Sequence, residues 1–147
     1  MPYKQEWYIR DHVYITVGWG KLSLEELLQV TAEGAQRVKS SPARLVHTVS
    51  DFRHLDSYPQ NLRDLYRVFT RPELDTQQQK IGWNVIVVHR NRGLLMGISY
   101  VCQLLGIRMR IFNELPEAFA FLDEMADFPP DAERLDVSAW LETARQA

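Results

Sequence analysis

The chain predicts an α/β sandwich built on one mostly parallel sheet, and three observations carry that prediction. Short β-rich runs alternate with amphipathic segments of helical period along most of the 147 residues. Of the two runs in the middle, "ARLVHTVSDF" reads as apolar on both faces, the pattern of a central strand covered on either side, and "IGWNVIVVH" as a second central strand. The content of 46% hydrophobic and 24% charged residues is that of an ordinary globular chain, long enough to bury one core.

Taken in order, "WYIRDHVYITVGWG" alternates as two short strands around an Asp11-His12 turn, with Trp7, Ile9, Val13, Ile15 and Val17 as apolar faces. The clearest helix follows. Ser23 and Glu26 stand at capping-box spacing, Leu24, Leu27, Leu28, Thr31, Ala35 and Val38 recur at helical period, and Arg37 and Lys39 suit the C-terminal dipole. After the first central strand, Pro59 and Asn61 suit the start of "NLRDLYRVFT". Its predicted buried stripe is Leu62, Leu65, Tyr66 and Phe69, and Arg63 and Arg67 lie on the outer side, with Pro72 ending the helix. Beyond the second central strand, Asn91 and Gly93 open the apolar helix "LLMGISYVCQLLG", which is expected to be well covered. "IRMRIF" alternates as a short strand, and "LPEAFAFLDEM" is a helix entered through Pro116. Pro129-Pro130 then breaks the chain, and a last helix starting at Asp136 to Ser138 carries Trp140, Leu141 and Ala144 on one side. The predicted order is β-β-α-β-α-β-α-β-α plus a tail helix, with right-handed crossovers limiting the topology.

Several classes are excluded or disfavoured. No apolar run approaches the ~20 residues of a membrane span, and the start lacks the pattern of a signal peptide. The single cysteine, Cys102, permits no internal disulfide, so a cytoplasmic protein is expected. No phosphate-binding glycine loop is present, and poor aromatic interleaving with a pI near 6.1 ranks nucleic acid low. The net charge of −2 conceals an asymmetry: residues 37–110 carry twelve Lys and Arg against five acids, and residues 111–147 carry nine acids against two arginines. An acidic tail docking on a basic face, or a basic face meeting an anionic partner, would use it; two solvated faces would not. His47, inside a central strand, reads as a hydrogen-bonded core histidine, and Cys102, on an apolar helix without a cationic neighbour, as a buried small hydrophobe.

The chain resembles the STAS domains, the anti-sigma-factor-antagonist fold, and more closely the broader SpoIIAA-like or STAS/SEC14-like group. "VGWGKLSLEELLQV" is similar to the family's strand, glycine and hydroxyl-capped first helix. "VSDFRHLDSYPQNL" is similar to its aspartate-ending strand and phosphorylation loop, and "GIRMRIFNELPEAFAFL" to its closing strand and helix. The resemblance covers residue 7 to about residue 124. It implies a STAS-like domain over 1–124, with 125–147 as a C-terminal extension bearing a docking helix. In the family loop Asp56 and Ser57 match, but Tyr58 stands at the phosphoacceptor position and Pro59 at the glycine. A phenol does not fit a kinase geometry made for a short hydroxyl, and proline removes a backbone donor. The loop is therefore expected to be a strand-to-helix turn without the family's phosphorylation.

The family topology also implies that the two central strands are neighbours, so that Asp51, His54 and Asp56 share one rim with His89, Asn91 and Arg92. Such a set is the kind that ligates a metal or pairs as acid and base. Its spacing matches no metal motif, and no metal or cofactor is expected. The resemblance implies a non-catalytic regulatory module acting through protein–protein contacts, expected to be a homodimer. Its contact surface would include the 51–60 loop, Arg63, Arg67 and the extension with Trp140. The alternative is a small apolar-ligand or lipid binder of the SEC14-like type, with a cavity under residues 94–105. An enzymatic reading needs Asp51, Asp56 and His89 close together.

Overall fold

The computed structural model describes residues 2–59, 61–70, 80–89 and 92–147. The elements are β1 (Tyr3–Ile9), β2 (Val13–Lys21), α1 (Leu24–Ser40), β3 (Val46–Ser57), α2 (Leu62–Phe69), β4 (Ile81–Val87), α3 (Arg92–Leu105), β5 (Met109–Phe112), α4 (Leu115–Met125) and α5 (Ser138–Gln146). This is the predicted order. Among the described residues no helix is long and apolar enough to cross a membrane.

Local chemistry sets several boundaries. Asp11, at φ 68°, takes the left-handed turn between β1 and β2, which a short polar side chain tolerates. The Ser23 hydroxyl accepts from the Glu26 N–H at 3.1 Å and the Glu26 carboxylate accepts from the Ser23 N–H at 3.0 Å, closing the capping box of α1. Asn61 Oδ1 accepts from the Arg63 N–H at 2.8 Å and starts α2. Asp136 Oδ1 does the same for Ser138 at 3.0 Å and starts the turn into α5.

The strands lie in the order β1-β2-β3-β4-β5, β1 antiparallel to β2 and the other pairs parallel. Consecutive parallel neighbours joined by right-handed crossovers put every crossover helix on the same side. Accordingly α1, α2 and α3 cover one face. The other face must be covered from elsewhere, and the end of the chain does it. Leu115, Ala118 and Leu122 of α4, then Val137 and Ala144, are buried in one cluster with Ile9, Val13, Ile15, Val17, Val49, Val85 and Val87. Each fully buried branched side chain there contributes about 1.5–3 kcal/mol. The segment between α4 and α5 is tied down as well: the Leu135 N–H donates to the Tyr8 carbonyl at 2.9 Å, and Arg134 pairs with Asp123 at 2.7 Å.

The structure corrects three expectations. β3 does not turn away after Phe52 but runs to Ser57. β4 leaves its side at Asp51↔Val87, whereas β2 continues alongside it through Trp19↔His54, Gly20↔Leu55 and Lys21↔Ser57, so the ladder still has a partner. Tyr66 is not part of a buried stripe but 46% exposed; Pro72 and the side chains of Leu62, Leu65 and Phe69 lie outside the described residues. The described side chains of α3 are covered on one side and exposed on another. Val101 and Cys102 are buried against Ile86, while Tyr100 and Leu104, one turn apart, are 53% and 58% exposed.

Candidate functional site

Asp51 is held in a buried ion pair. Its carboxylate, 0% exposed, accepts from Arg53 Nε at 2.9 Å, Arg53 Nη2 at 2.8 Å and the Arg53 N–H at 3.2 Å. Arg53 reaches on through Nη1 to Glu114, at the start of α4, at 3.0 Å. The guanidinium is held above its ordinary pKa, first by the hydrogen bond to Asp51. This fork of charge-assisted bonds ties the end of β3's core stretch to the helix that covers it. Asp56 lies further along the strand and is exposed, His54 is half-buried in the ladder opposite Trp19, and His89 is exposed beyond β4. Among the described residues no three His, Cys, Asp or Glu side chains are grouped so as to hold a metal. Asn91 lies outside the described residues.

The Asp56-Ser57-Tyr58 stretch is an extended strand end. Asp56 and Ser57 are exposed, and the Ser57 carbonyl accepts from the Leu22 N–H at 2.9 Å. Tyr58 is half-buried, packed against two apolar clusters that share Leu27 and also hold Phe52, Leu55 and Leu105. Arg63 and Arg67 are exposed on α2. Trp140 is half-buried against the aliphatic core, with the Lys4 ammonium 6.0 Å from its ring centroid. The acidic extension therefore covers the sheet face opposite α2 and does not reach the arginine stripe of its own chain.

Sequence reasoning offered a cavity under residues 94–105 as its alternative; the cavity lies between the sheet and all of α1–α3, and its polar floor is what sequence reasoning missed. A cavity of about 190 Å³ is bounded there by Leu27, Val30 and Thr31 of α1, Val68 of α2 and Leu105 of α3. Its floor is the sheet, polar in the middle and bordered by Phe52, Leu55, Ile81 and Ile86. Cross-strand partners Gln5↔Thr16 and Thr16↔Ser50 form one row, and Tyr14↔Thr48 and Thr48↔Asn84 the next, all six lining the cavity. "HTVSD" is thus not apolar on both faces: Val49 points into the aliphatic core, and Thr48 and Ser50 point to the helices. The alternation of Val13, Ile15 and Val17 with Tyr14 and Thr16 was the available signal.

Part of this floor is internally satisfied. Gln5 Nε2 donates to Thr16 Oγ1 at 2.9 Å and to the Val30 carbonyl at 3.1 Å, and Gln5 Oε1 accepts from Arg37 Nε at 3.1 Å. The Tyr14 phenol is raised in pKa by burial, partly offset by its hydrogen bond with Thr48, and stays neutral. It lies beneath α1 at Gly34, where a β-carbon would stand 2.5 Å from its oxygen, which explains a glycine in mid-helix. Among the described residues the side chains of Ser50 and Asn84 make no hydrogen bond, and both are partly accessible. Arg108 borders the cavity and is exposed; in β5, Met109 and Ile111 face the helices, while Arg110 stacks 5.1 Å from the Phe121 ring on the other side.

His47 and Cys102 sit as their sequence context predicts. His47 Nδ1 accepts from the Trp83 N–H at 2.9 Å, and a β-carbon at Gly82 would collide with its ring. Burial, then the charge of Arg108, lowers its pKa, so it is a neutral core group. The buried Cys102 thiol is pushed up to about 11 by desolvation and is unreactive.

No protein-family model matches the sequence, and no curated protein matches it. Solved structures do match the fold. A protein of the DUF3478 family with a SpoIIAA-like fold from Shewanella loihica PV-4 superposes with a TM-score of 0.54 at 15% identity, over 82% of this chain and 91% of that one. The anti-sigma factor antagonist SpoIIAA in its unphosphorylated form gives a TM-score of 0.49 at 16% identity, over 85% and 99%. With its five-stranded, mostly parallel sheet, three crossover helices on one face and its helical cover on the other, this chain has a SpoIIAA-like, or STAS-like, fold.

Proposed function

We propose that this protein is a non-catalytic cytoplasmic binding module whose primary site is the cavity between the polar sheet face and α1–α3, and that it holds one small molecule there. The observation that carries this reading is the floor. Six contiguous polar side chains cover the sheet under three helices, where the same sheet's other face is lined with valine and isoleucine. Leaving hydroxyl or amide groups under a dry helical cover costs about 1–3 kcal/mol each; a polar guest or water that bonds them removes that cost. The size argues against a lipid chain. The cavity is near the ~150 Å³ that accommodates benzene and below the ~300–1,000 Å³ of drug-sized sites. Native mass spectrometry of the protein purified from its own cells tests the reading. A reproducible small-molecule adduct is expected, lost when Ser50→Phe fills the space. Absence of any adduct, with no ligand stabilising the wild type over Ser50→Phe, would contradict it.

A second reading, the regulatory protein–protein module implied by the family resemblance, is favoured by a different surface. Tyr66 on α2 and Tyr100 and Leu104 on α3 are exposed apolar groups, and Arg63 and Arg67 flank the first of them. Aromatic residues and arginine are the types enriched at interfaces. The homodimer belongs to this reading. Removing residues 129–147 is a poor test of it, because Val137 and Ala144 are core residues. Leu104→Glu is the cleaner one: sedimentation should show a monomer that still unfolds cooperatively, and an unchanged dimer would count against this surface.

A further inference from the structure

Resting on the cavity reading, we infer that the guest is a small neutral planar molecule with an amide-like edge, a donor beside an acceptor, and an apolar remainder. Neutrality comes first. Among the described residues the lining carries no carboxylate, and its one cation, Arg108, is an exposed residue at the border. A buried ion without a partner is strongly disfavoured, so carboxylates, phosphates and amines are poor guests.

The polar edge follows from what the floor has left to offer. Gln5 has its amide N–H groups and its oxygen bonded, and Tyr14 is bonded to Thr48. Ser50 and Asn84 are the floor side chains without a hydrogen bond among the described residues. They are diagonal neighbours on adjacent strands, because Ser50 lies opposite Ile86 and Asn84 lies opposite Thr48. Asn84 brings both a carbonyl oxygen and an amino group, and Ser50 a hydroxyl that donates and accepts. A carboxamide or lactam edge answers both at once, accepting from one and donating to the other. Leu27, Val30 and Leu105 from the helices, with Phe52 and Ile86 from the sheet, match an apolar ring.

Three probes of nearly one size separate the alternatives: benzamide, toluene and benzoate, titrated by NMR into the full-length protein. Benzamide is expected to bind about tenfold more tightly than toluene, the gain of one to two satisfied buried hydrogen bonds, and benzoate weakest of the three. Asn84→Leu should abolish the preference for benzamide while leaving toluene bound, which a general loss of folding would not do. Equal binding of benzamide and toluene, or a preference unchanged in Asn84→Leu, overturns the ligand class and leaves the cavity reading standing. Preference for benzoate overturns the neutrality argument. Binding of none of the three overturns both.

Discussion

The two faces of one sheet differ more than the two ends of the chain. On the face under α4 and α5, β2, β3 and β4 present Val13, Ile15, Val17, Val49, Val85 and Val87, all buried in one aliphatic cluster. On the face under α1–α3 the same strands present Tyr14, Thr16, Thr48, Ser50 and Asn84 around a cavity. The backbone ladder is common to both, so ladder hydrogen bonds account for neither difference. What differs is the work each face is fitted to do. The aliphatic face holds the chain together, using residues as far apart in sequence as Ile9 and Ala144. The polar face leaves a cavity of about 190 Å³ under its helices instead.

Perturbing each face in turn sharpens that contrast. The largest loss is expected at the border of the aliphatic face, in Asp51→Ala. Removing the buried partner leaves Arg53 with only the half-exposed Glu114, at a cost of up to about 3–5 kcal/mol; urea unfolding measures it, and a loss under about 1 kcal/mol would mean that the fork is not structural. Next comes Ile15→Ala, in the middle of the cluster, which should lose about 2–5 kcal/mol with no effect on a guest bound on the far side. Gly34→Ala sets about 1 kcal/mol of helix propensity against the collision with the Tyr14 phenol, and overpacking of about 1–3 kcal/mol should prevail. A stabilised Gly34→Ala would show that α1 rides higher over the floor than described.

A pH effect comes from His47. Its folded pKa lies below the ordinary value of 6.5, so as pH falls through that value the unfolded chain takes up the proton first. Stability from this group is fully present above pH 6.5 and declines below it, down to the folded pKa. His47→Asn, which keeps an acceptor for the Trp83 N–H, should flatten this part of the stability curve. The smallest change in stability is expected for Ser50→Ala, within about 0.5 kcal/mol, although it removes a group proposed to meet the guest.

Much of the fold was legible because its signals are local and periodic. Ser23 and Glu26 announce α1, Asn61 announces α2, and Pro116 announces α4, each through backbone groups within a turn of it. The end of β3 was not legible, since what extends it to Ser57 is the continuing partner strand β2, distant in sequence. The rim residues on β3 are spread along it for a related reason. Asp51 and His54 stand on the same strand, but the strand goes on between them, and Asp51 finds Arg53, itself tied to Glu114, instead of a histidine. Trp140 did signal that the tail packs onto something. Only the topology shows what: with all crossover helices on one face, the other face needs a cover. The cavity was half-visible. Thr48 and Ser50 flank Val49 with strict alternation, yet threonine and serine are common enough in strands that nothing near them revealed which side the helices would take.

One measurement compares the faces at adjacent positions with the same new side chain: the unfolding free energies of Val49→Phe and Ser50→Phe. Val49 has no space around it, so Val49→Phe should cost more than about 3 kcal/mol or prevent folding. Ser50→Phe places a ring in a space of about 190 Å³, where a benzene-sized group fits, and should stay within about 1 kcal/mol of wild type while excluding any guest. Equal and large losses at both positions would mean that the helices close on the sheet as tightly as the tail does, and that the polar face holds no site.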